Sequence, residues 1–425
     1  MSSWRTLPLE DALERLIDYR GKSPPKSPAG IPVISAKVVK AGRITAPIEQ
    51  KIAPSFYPQW MTRGYPKAGD VILTTEGPLG EVAQLDDLTA KYALGQRIVC
   101  LQPKKGVLDG TFLKFLLMSP ALQGKLSGFA TGTTVAGISQ KALRSVPITI
   151  PPFADQVMIG SVAGAIDEKI ELSRRMNETL EAMARAIFQD WFVTFGPTRA
   201  KMEGRPPYLA PDLWSLFPDR LDAEGKPEGW RGAPLDQIAD FLNGLALQKY
   251  PGTGNDDLPV IKIAELRVGV ATGSDRAARS IPPQYVVEDG DVLFSWSGSL
   301  LQRVWTGGRG ALNQHLFKVT SKQWPKWLHY LWVEHHLPSF QAIAASKATT
   351  MGHIQRHHLS EAMTVLGSPD VMAAADAMIG PLLDRCLANS LEARTLAMTR
   401  DLLLPRLMSG ELRVHDFQDN LQRAE

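Results

Sequence analysis

The chain carries two copies of one sequence pattern, and that duplication limits what it can fold into more than any other feature does. The opening Trp4-Arg5-Thr6-Leu7-Pro8-Leu9-Glu10 returns 226 residues later as Trp230-Arg231-Gly232-Ala233-Pro234-Leu235-Asp236. Ile31-Pro32-Val33-Ile34 returns as Leu258-Pro259-Val260-Ile261, and Gly69-Asp70-Val71-Ile72 as Gly290-Asp291-Val292-Leu293. Ala93-Leu94-Gly95-Gln96 returns as Ala311-Leu312-Asn313-Gln314. Thr133-Thr134, with Ile138 and Leu143, returns as Thr349-Thr350, with Ile354 and Leu359. The offset drifts from 226 to 216, as changes in loop length would make it. Five weak matches in one order imply two related domains.

Each copy has two parts. The first is rich in Gly and Pro and holds short runs of β-branched and apolar residues. Val71–Thr75 and Arg97–Leu101 are such runs in the first copy, and Val292–Trp296 and Leu316–Val319 in the second. Such runs read as strands, and Gly-Asp-Val reads as a turn entering one. Short helices are expected at Gly110–Met118 and Lys326–His335. The predicted fold of each copy is therefore α+β.

The second part reads as a long helix. After Pro151-Pro152, apolar residues fall at Ile159, Val162, Ile166, Ile170, Leu172, Met176, Leu180, Met183 and Ile187, close to a heptad seam. A helix over about 155–192 would be ~57 Å long. In the second copy the stripe runs through Val371, Ala374, Met378, Leu382, Leu387, Leu391, Met398 and Leu402, with a kink expected at Pro381. Two apolar stripes left by two similar domains suggest an antiparallel two-helix coiled coil as spacer; packing of each helix on its own domain is the alternative. The expected divisions are 1–150 (first globular domain), 151–195 (central helix), 196–228 (polar linker), 229–367 (second globular domain), 368–415 (distal helix) and 416–425 (tail).

Charge follows the same division. Residues 1–150 hold 19 Lys+Arg against 11 Asp+Glu, and residues 229–367 hold 13 against 11, whereas residues 151–195 hold 4 against 7 and residues 368–425 hold 6 against 9. A polyanion would be met by the globular copies, above all the first; local fluctuation explains the second copy equally well. No stretch approaches the roughly 18 apolar residues of a membrane span. The N-terminus lacks the basic start and apolar core of a secretory signal. Cys100 and Cys386 are too few for a disulfide framework. A cytoplasmic protein is expected.

Two related readers on a helical spacer suit a target with a regular repeat. Duplex DNA repeats about every 34–36 Å, so two diverged domains would read two different half-sites. Here a family resemblance becomes specific. Pro151-Pro152-Phe153-Ala154-Asp155-Gln156, Ala165–Leu172, Asn177–Arg185 and Trp191-Phe192 resemble the central helical region of type I restriction–modification specificity subunits. Leu402–Val414 resembles their distal region, and Pro227-Glu228-Gly229-Trp230 the entry to their second target-recognition domain. The resemblance implies two target-recognition domains separated by a two-helix antiparallel coiled coil, with double-stranded DNA as target. It also implies docking of two methyltransferase subunits and two ATP-driven translocase-nuclease subunits. S-adenosylmethionine, ATP and Mg²⁺ would serve those partners, with no cofactor and no metal on this chain, which would be a non-catalytic subunit. Partner-docking candidates are Gln156, Asn177, Glu178, Arg185, Trp191, Phe192, Leu404 and Arg406. Ser368-Pro369-Asp370-Val371 departs from the Pro-Pro-x-Ala-x-Gln pattern, which puts equal docking on the two helices in doubt.

Arg suits guanine and Asn or Gln adenine, while phosphates need Lys, Arg and hydroxyls. On that chemistry the DNA-binding candidates of the first copy are Arg20, Lys22, Lys37, Lys40, Thr74, Thr75, Gln96, Arg97, Thr133, Thr134, Gln140 and Lys141. Glu76 could accept from a cytosine amine. In the second copy they are Lys249, Lys262, Ser295, Ser297, Asn313, Gln314, His315, Thr349, Thr350, His353, Gln355 and His357. For any one of them a solvated loop or turn-stabilising role is as good an account.

All eight histidines lie between His315 and His415. His353, His357 and His358 have one-turn spacing, but HExxH is absent and no cysteine is near, so a polar, phosphate-facing loop is preferred to a metal. Ile150-Pro151-Pro152-Phe153 resembles an amino-methyltransferase signature, with isoleucine where the polar residue belongs. Asp167-Glu168-Lys169 has nuclease-motif spacing but falls in the predicted helix, and no Walker loop is present. A stand-alone DNA-binding regulator and a fused methyltransferase or nuclease are the competing classes.

Overall fold

The computed structural model describes residues 4–19, 23–132, 136–254, 256–271, 273, 275–346 and 352–412. The duplication appears strand by strand. In the first copy Arg5–Pro8 pairs antiparallel with Pro147–Ile150, Arg5 opposite Ile150. In the second, Arg231–Pro234 pairs the same way with Met363–Leu366, Arg231 opposite Leu366. A four-stranded antiparallel sheet then runs Leu13–Asp18, Ile98–Pro103, Val71–Thr75, Leu79–Gln84. Its counterpart runs Asp240–Asn243, Leu316–Thr320, Val292–Ser295, Gln302–Val304. A further small sheet in each copy contains one parallel pair, Val33-Ile34 beside Ala93-Leu94 and Val260-Ile261 beside Ala311-Leu312. In the edge pair and the four-stranded sheet, strand order and polarity are the same twice over, while the small sheet has three strands in the first copy and four in the second.

Local chemistry explains the repetition. Gly69 and Gly290 sit at φ +90° and +91°, in the left-handed region that favours glycine. The next residue closes the turn with its carboxylate: Asp70 Oδ2 accepts from the Lys67 N–H and Asp291 Oδ2 from the Glu288 N–H, both at 2.8 Å. Val71-Ile72-Leu73 and Val292-Leu293-Phe294 then enter fully buried strands. The helix Gly110–Met118 starts where expected, because Asp109 caps it by accepting from the Phe112 N–H at 2.8 Å. The helix Lys326–Ser346 is longer than expected and continues through Pro338.

Each copy ends on its edge strand and enters a long helix behind proline, Phe153–Phe188 after Pro151-Pro152 and Pro369–Met408 from Pro369 itself. The second is assigned as one helix through Pro381. The chain forms two units. One comprises the residues up to Glu168 with those from Leu396 onward, and the other is Lys169–Thr395. In the first unit Asp167 of one helix bonds Arg400 of the other at 2.5 Å, and Ile159 and Leu407 share a core. In the second unit Lys169 pairs with Glu392 at 3.4 Å. There Asn177 Nδ2 donates to the Cys386 carbonyl at 3.0 Å and to Ser390 Oγ at 2.9 Å, and Asn389 donates to Asn177 Oδ1 at 2.9 Å. The helices are antiparallel in both units. The fold is thus two α+β domains with a two-helix antiparallel spacer.

The seam differs from the one expected. A row of buried and half-buried positions on the first long helix runs through Ile159, Ala163, Ile166, Ile170, Ser173, Asn177, Leu180, Ala184 and Ile187, alternating steps of four and three, with the expected Val162 and Met176 half-buried beside it. Leu172 and Met183 lie off it, 52% and 49% exposed. On the second helix Ala375, Ile379, Cys386 and Asn389 are buried, while Met398 and Leu402 are each 67% exposed. Ile159, Ile166, Ile170, Leu180 and Ile187 of the expected stripe lie on the seam, and the small or hydrogen-bonding Ala163, Ser173, Asn177 and Ala184 fill the places between them.

Three expected docking residues are internal instead. Gln156 is fully buried: Oε1 accepts from the Asp109 N–H at 3.0 Å, and Nε2 donates to the Val107 and Pro151 carbonyls at 3.0 and 2.9 Å. Trp191 and Phe192 lie in the single turn of π-helix Gln189–Val193 that ends the long helix. Both are buried, Trp191 edge-on to Phe217 at 4.9 Å, Phe192 against Trp230 and Trp327 at 5.7 Å each. Asn177 is a fourth whose amide is spent within the chain, on the helix pair just described. The polar stretch 196–228 is not a bare linker either. It holds helices Gly196–Met202 and Pro211–Ser215, buries Phe217, and anchors Tyr208 Oη to Asp190 at 2.9 Å.

Candidate nucleic-acid interface

The two copies superpose in sequence register at one corner of the four-stranded sheet. In the first copy the ladder ends at Thr74 opposite Ile98. The Thr75 N–H then donates to the Arg97 carbonyl at 2.9 Å, and the Ile138 N–H to the Thr75 carbonyl at 3.0 Å. Glu76 bridges Gly137. In the second copy the ladder ends at Ser295 opposite Leu316. The Trp296 N–H donates to the His315 carbonyl at 3.4 Å, the Ile354 N–H to the Trp296 carbonyl at 3.0 Å, and Ser297 bridges His353. The correspondence is therefore Thr74 with Ser295, Thr75 with Trp296, Glu76 with Ser297, Arg97 with His315 and Gly137 with His353.

Two of the expected contact residues turn out to hold this corner rather than face solvent. Thr74 Oγ1, fully buried, accepts from the Glu81 N–H at 2.9 Å. Ser295 Oγ, fully buried, accepts from the Leu301 N–H at 2.8 Å and donates to the Ser299 carbonyl at 2.7 Å. Both hydroxyls satisfy the start of the next strand, which explains a hydroxyl at that place without DNA. Thr75, also buried, has a hydroxyl with no hydrogen-bond partner among the described residues.

What lies outside that shared frame differs between copies. Arg97 Nε meets Glu76 Oε1 at 2.8 Å, with the side chains 57% and 42% exposed. Arg97 takes φ +63°, unusual for a side-chain-bearing residue, and its side chain stays at the rim. The second copy has Ser297 Oγ at 2.9 Å from His315 Nδ1. There Asn313 Oδ1 accepts from the His315 N–H at 3.2 Å, and Gln314 Nε2 lies 3.4 Å from His315 Nε2. Trp296 lies against the tilted His315 ring at 6.0 Å and edge-on to His353 at 6.3 Å, its indole N–H donating to Asn243 Oδ1 at 2.9 Å.

Arg97 and Gln96 border an open cleft of about 700 Å³ on the first copy, together with Lys26, Lys37, Lys51 and Gln50. Four cations face one carboxylate, Glu49, on its walls. Lys26, Lys51 and Gln50 went unseen in the sequence; only the proline-rich Ser23–Pro28 stretch hinted at a formed loop. Lys40 is exposed on the short strand Val39–Lys40 and does not line the cleft. Gln140 and Lys141 are exposed in the first turn of helix Gln140–Ser145, just after Ile138 joins the corner. Arg20, Lys22, Thr133, Thr134, Thr349 and Thr350 lie outside the described residues.

In the second copy Lys249 is exposed in the turn Leu247–Lys249 and Lys262 pairs with Asp275. Gln355 precedes helix Arg356–Glu361, its N–H donating to His358 Nδ1 at 2.9 Å. His357, His358 and Glu361 bring ligating atoms within 4.8 Å of one another, while His353 belongs to the corner. Among the remaining docking candidates, Glu178 is exposed beside Arg174, and Arg185 pairs with Glu181 and Glu334 at 2.9 Å each. Leu404 is half-buried, and Arg406 pairs with Glu411 at 2.8 Å. The methyltransferase-like Ile150 is a buried strand residue opposite Arg5, and Asp167 is held between Lys114 and Arg400. Among the described residues no helix is long and apolar enough to cross a membrane.

Comparison with known proteins agrees with this geometry. Residues 2–182 match the family model described as the type I restriction modification DNA specificity domain. The chain is 23% identical over 378 residues to the type I restriction enzyme MjaIX specificity subunit of Methanocaldococcus jannaschii, spanning 87% of this chain and 83% of that one. It is 22% identical over 409 residues to the HindI specificity subunit of Haemophilus influenzae, spanning 81% and 87%. The crystal structure of a type I restriction–modification S subunit from M. genitalium shares the fold at a TM-score of 0.52 and 14% identity, over 95% of this chain and 96% of that one. Residues 2–182 thus match that specificity domain, and over most of its length the chain is similar to the specificity subunits of type I restriction–modification systems.

Proposed function

We propose that this chain selects an asymmetric bipartite DNA site for an adenine-N6 methyltransferase, each globular copy reading one half. The observation that carries the reading is the corner itself: one backbone frame, kept twice by the same hydrogen bonds, presents Glu76–Arg97 in one copy and Ser297–His315 in the other. A frame reused with different polar groups suits two different half-sites. The basic cleft beside the first corner adds groups that suit phosphates. The long helices would dock two methyltransferase subunits, and two translocase-nuclease subunits in the restricting form. Methyl donor, ATP and Mg²⁺ would be used by those partners, and this chain would be non-catalytic.

Docking falls to exposed residues of the helices. With Gln156, Asn177, Trp191 and Phe192 spent internally, Glu178, Arg185, Arg406 and the exposed Leu172, Met183, Met398 and Leu402 remain. The test is co-expression with a type I methyltransferase subunit from the same genome and mapping of N6-methyladenine on plasmid DNA. Methylation of one split, asymmetric sequence only when this chain is present is the expected result. A chain that binds DNA alone and leaves methylation unchanged would place it with stand-alone regulators instead.

A further inference from the structure

We propose that Glu76–Arg97 and Ser297–His315 are the specificity-determining pairs of the two copies, with Arg97 addressing the edge of a guanine. The proposal rests on the bipartite reading above and narrows it to four side chains. Its warrant is a comparison that the molecule makes with itself. At this corner the frame is kept: the buried hydroxyl under the strand end, the two backbone hydrogen bonds to the neighbouring segments, and the isolated bridge one residue on, although Trp296 and His353 stand where the first copy has Thr75 and Gly137. The frame therefore does not call for Glu76 and Arg97, whose side chains are 42% and 57% exposed, while in the second copy the buried Ser297 holds His315 against Trp296.

Stability does not account for the first pair either. An ion pair this exposed contributes little to folding, and Arg97 adopts a left-handed backbone conformation that costs something for any residue other than glycine. What the pairing does is aim. Glu76 takes Nε, leaving the two Nη groups of a planar fork pre-oriented. A fork of that geometry matches guanine O6 and N7 in the major groove. Arg97 also stands at the rim of the basic cleft, beside Lys37 and Gln96, where phosphate contacts would set its register. In the second copy an imidazole held by a hydroxyl, with Gln314 alongside, offers mixed donors and acceptors and no fixed charge. It would favour a different base.

The test uses the full chain in complex with its methyltransferase subunit. Arg97→Ala, Arg97→Lys and the transplant Glu76→Ser/Arg97→His are each mapped for methylated sequence. Their bound duplexes are also selected from a randomised pool, so that specificity is read even where methylation is lost. Thermal unfolding of each variant checks that it folds. Each change should relax or switch one base position in one half-site, by about five- to 150-fold in preference, and leave the other half-site as it was. Arg97→Lys should behave like the alanine variant, since a point charge does not reproduce the fork. Ser297→Glu/His315→Arg should alter only the other half. Unchanged sequence preference would overturn the proposal, as would an equal loss across all sequences, which marks a phosphate contact. If the unaltered complex shows no bipartite preference, the functional reading fails before this one is reached.

Discussion

At the scale of single residues, the positions that appeared functional divide by whether their polar atoms are already spent. Gln156 makes three hydrogen bonds inside the chain. Gln156→Leu should therefore lower the stability of the first unit by on the order of 2–3 kcal/mol, because it leaves an N–H and two carbonyls unpaired; urea unfolding would show it. His329 is the opposite case, a buried histidine with neither ring nitrogen hydrogen-bonded among the described residues. Burial, with Lys326 adding to it, pushes its pKa down from 6.5 to about 4. Below pH 6.5 the unfolded chain takes up a proton that the folded one refuses, so stability is complete above pH 6.5 and declines until about pH 4. The loss amounts to about 3 kcal/mol. His329→Leu should leave stability at pH 7.5 near or above that of the parent and flatten the fall between pH 6.5 and 5. His335 and His336, also shifted down by burial, keep part of the slope. An unchanged slope in the leucine variant would mean that His329 is solvated in the folded protein.

At the scale of elements, the long helices were legible as helices and misread as surfaces. Period, and a run from Ala165 to Phe195 free of glycine and proline, were enough for the first, but the apolar residues chosen for its stripe included Leu172 and Met183, which lie outside. The seam keeps Ile159, Ile166, Ile170, Leu180 and Ile187 of that stripe but also runs through Ser173, Asn177 and Ala184, residues chosen for size and hydrogen bonding. No hydrophobicity count finds them without the partner helix. The same blindness made Trp191 and Phe192 look like docking residues: a motif says which residues matter, not which way they point. Strands fared better, since Gly-Asp before Val is a turn with its own local chemistry. The polar layer of Asn177, Asn389 and Ser390 makes a prediction about the pair of helices. Asn177→Ala should cost about 1–3 kcal/mol by stranding the Asn389 amide. Replacing Asn177 and Asn389 together with leucine should recover or exceed the parent's stability while loosening the register. A double-mutant cycle followed by urea unfolding measures the first, and cysteine cross-linking between neighbouring turns of the two helices the second.

At the scale of the whole molecule, the uneven charge assigns different duties to the two copies. The first carries a net +8 over residues 1–150, the second +2 over residues 229–367, and the cleft with three lysines and Arg97 lies on the first. Electrostatic attraction to phosphate is independent of sequence and falls with salt by about 0.9 in log–log slope for each phosphate neutralised. Lys26→Ala/Lys37→Ala/Lys51→Ala in the full complex should weaken binding to specific and unrelated duplexes alike. It should also reduce the magnitude of the salt slope by up to about 3. The methylated sequence should stay the same, which separates these lysines from Arg97, whose loss should change the sequence and move the slope by no more than about 1. Salt-titrated binding of the triple variant and the Arg97 variant, measured side by side on matched and scrambled duplexes, decides it. A slope untouched by removing all three lysines would put the cleft off the path of the DNA, and Arg97 would then have to find its base without phosphate contacts beside it.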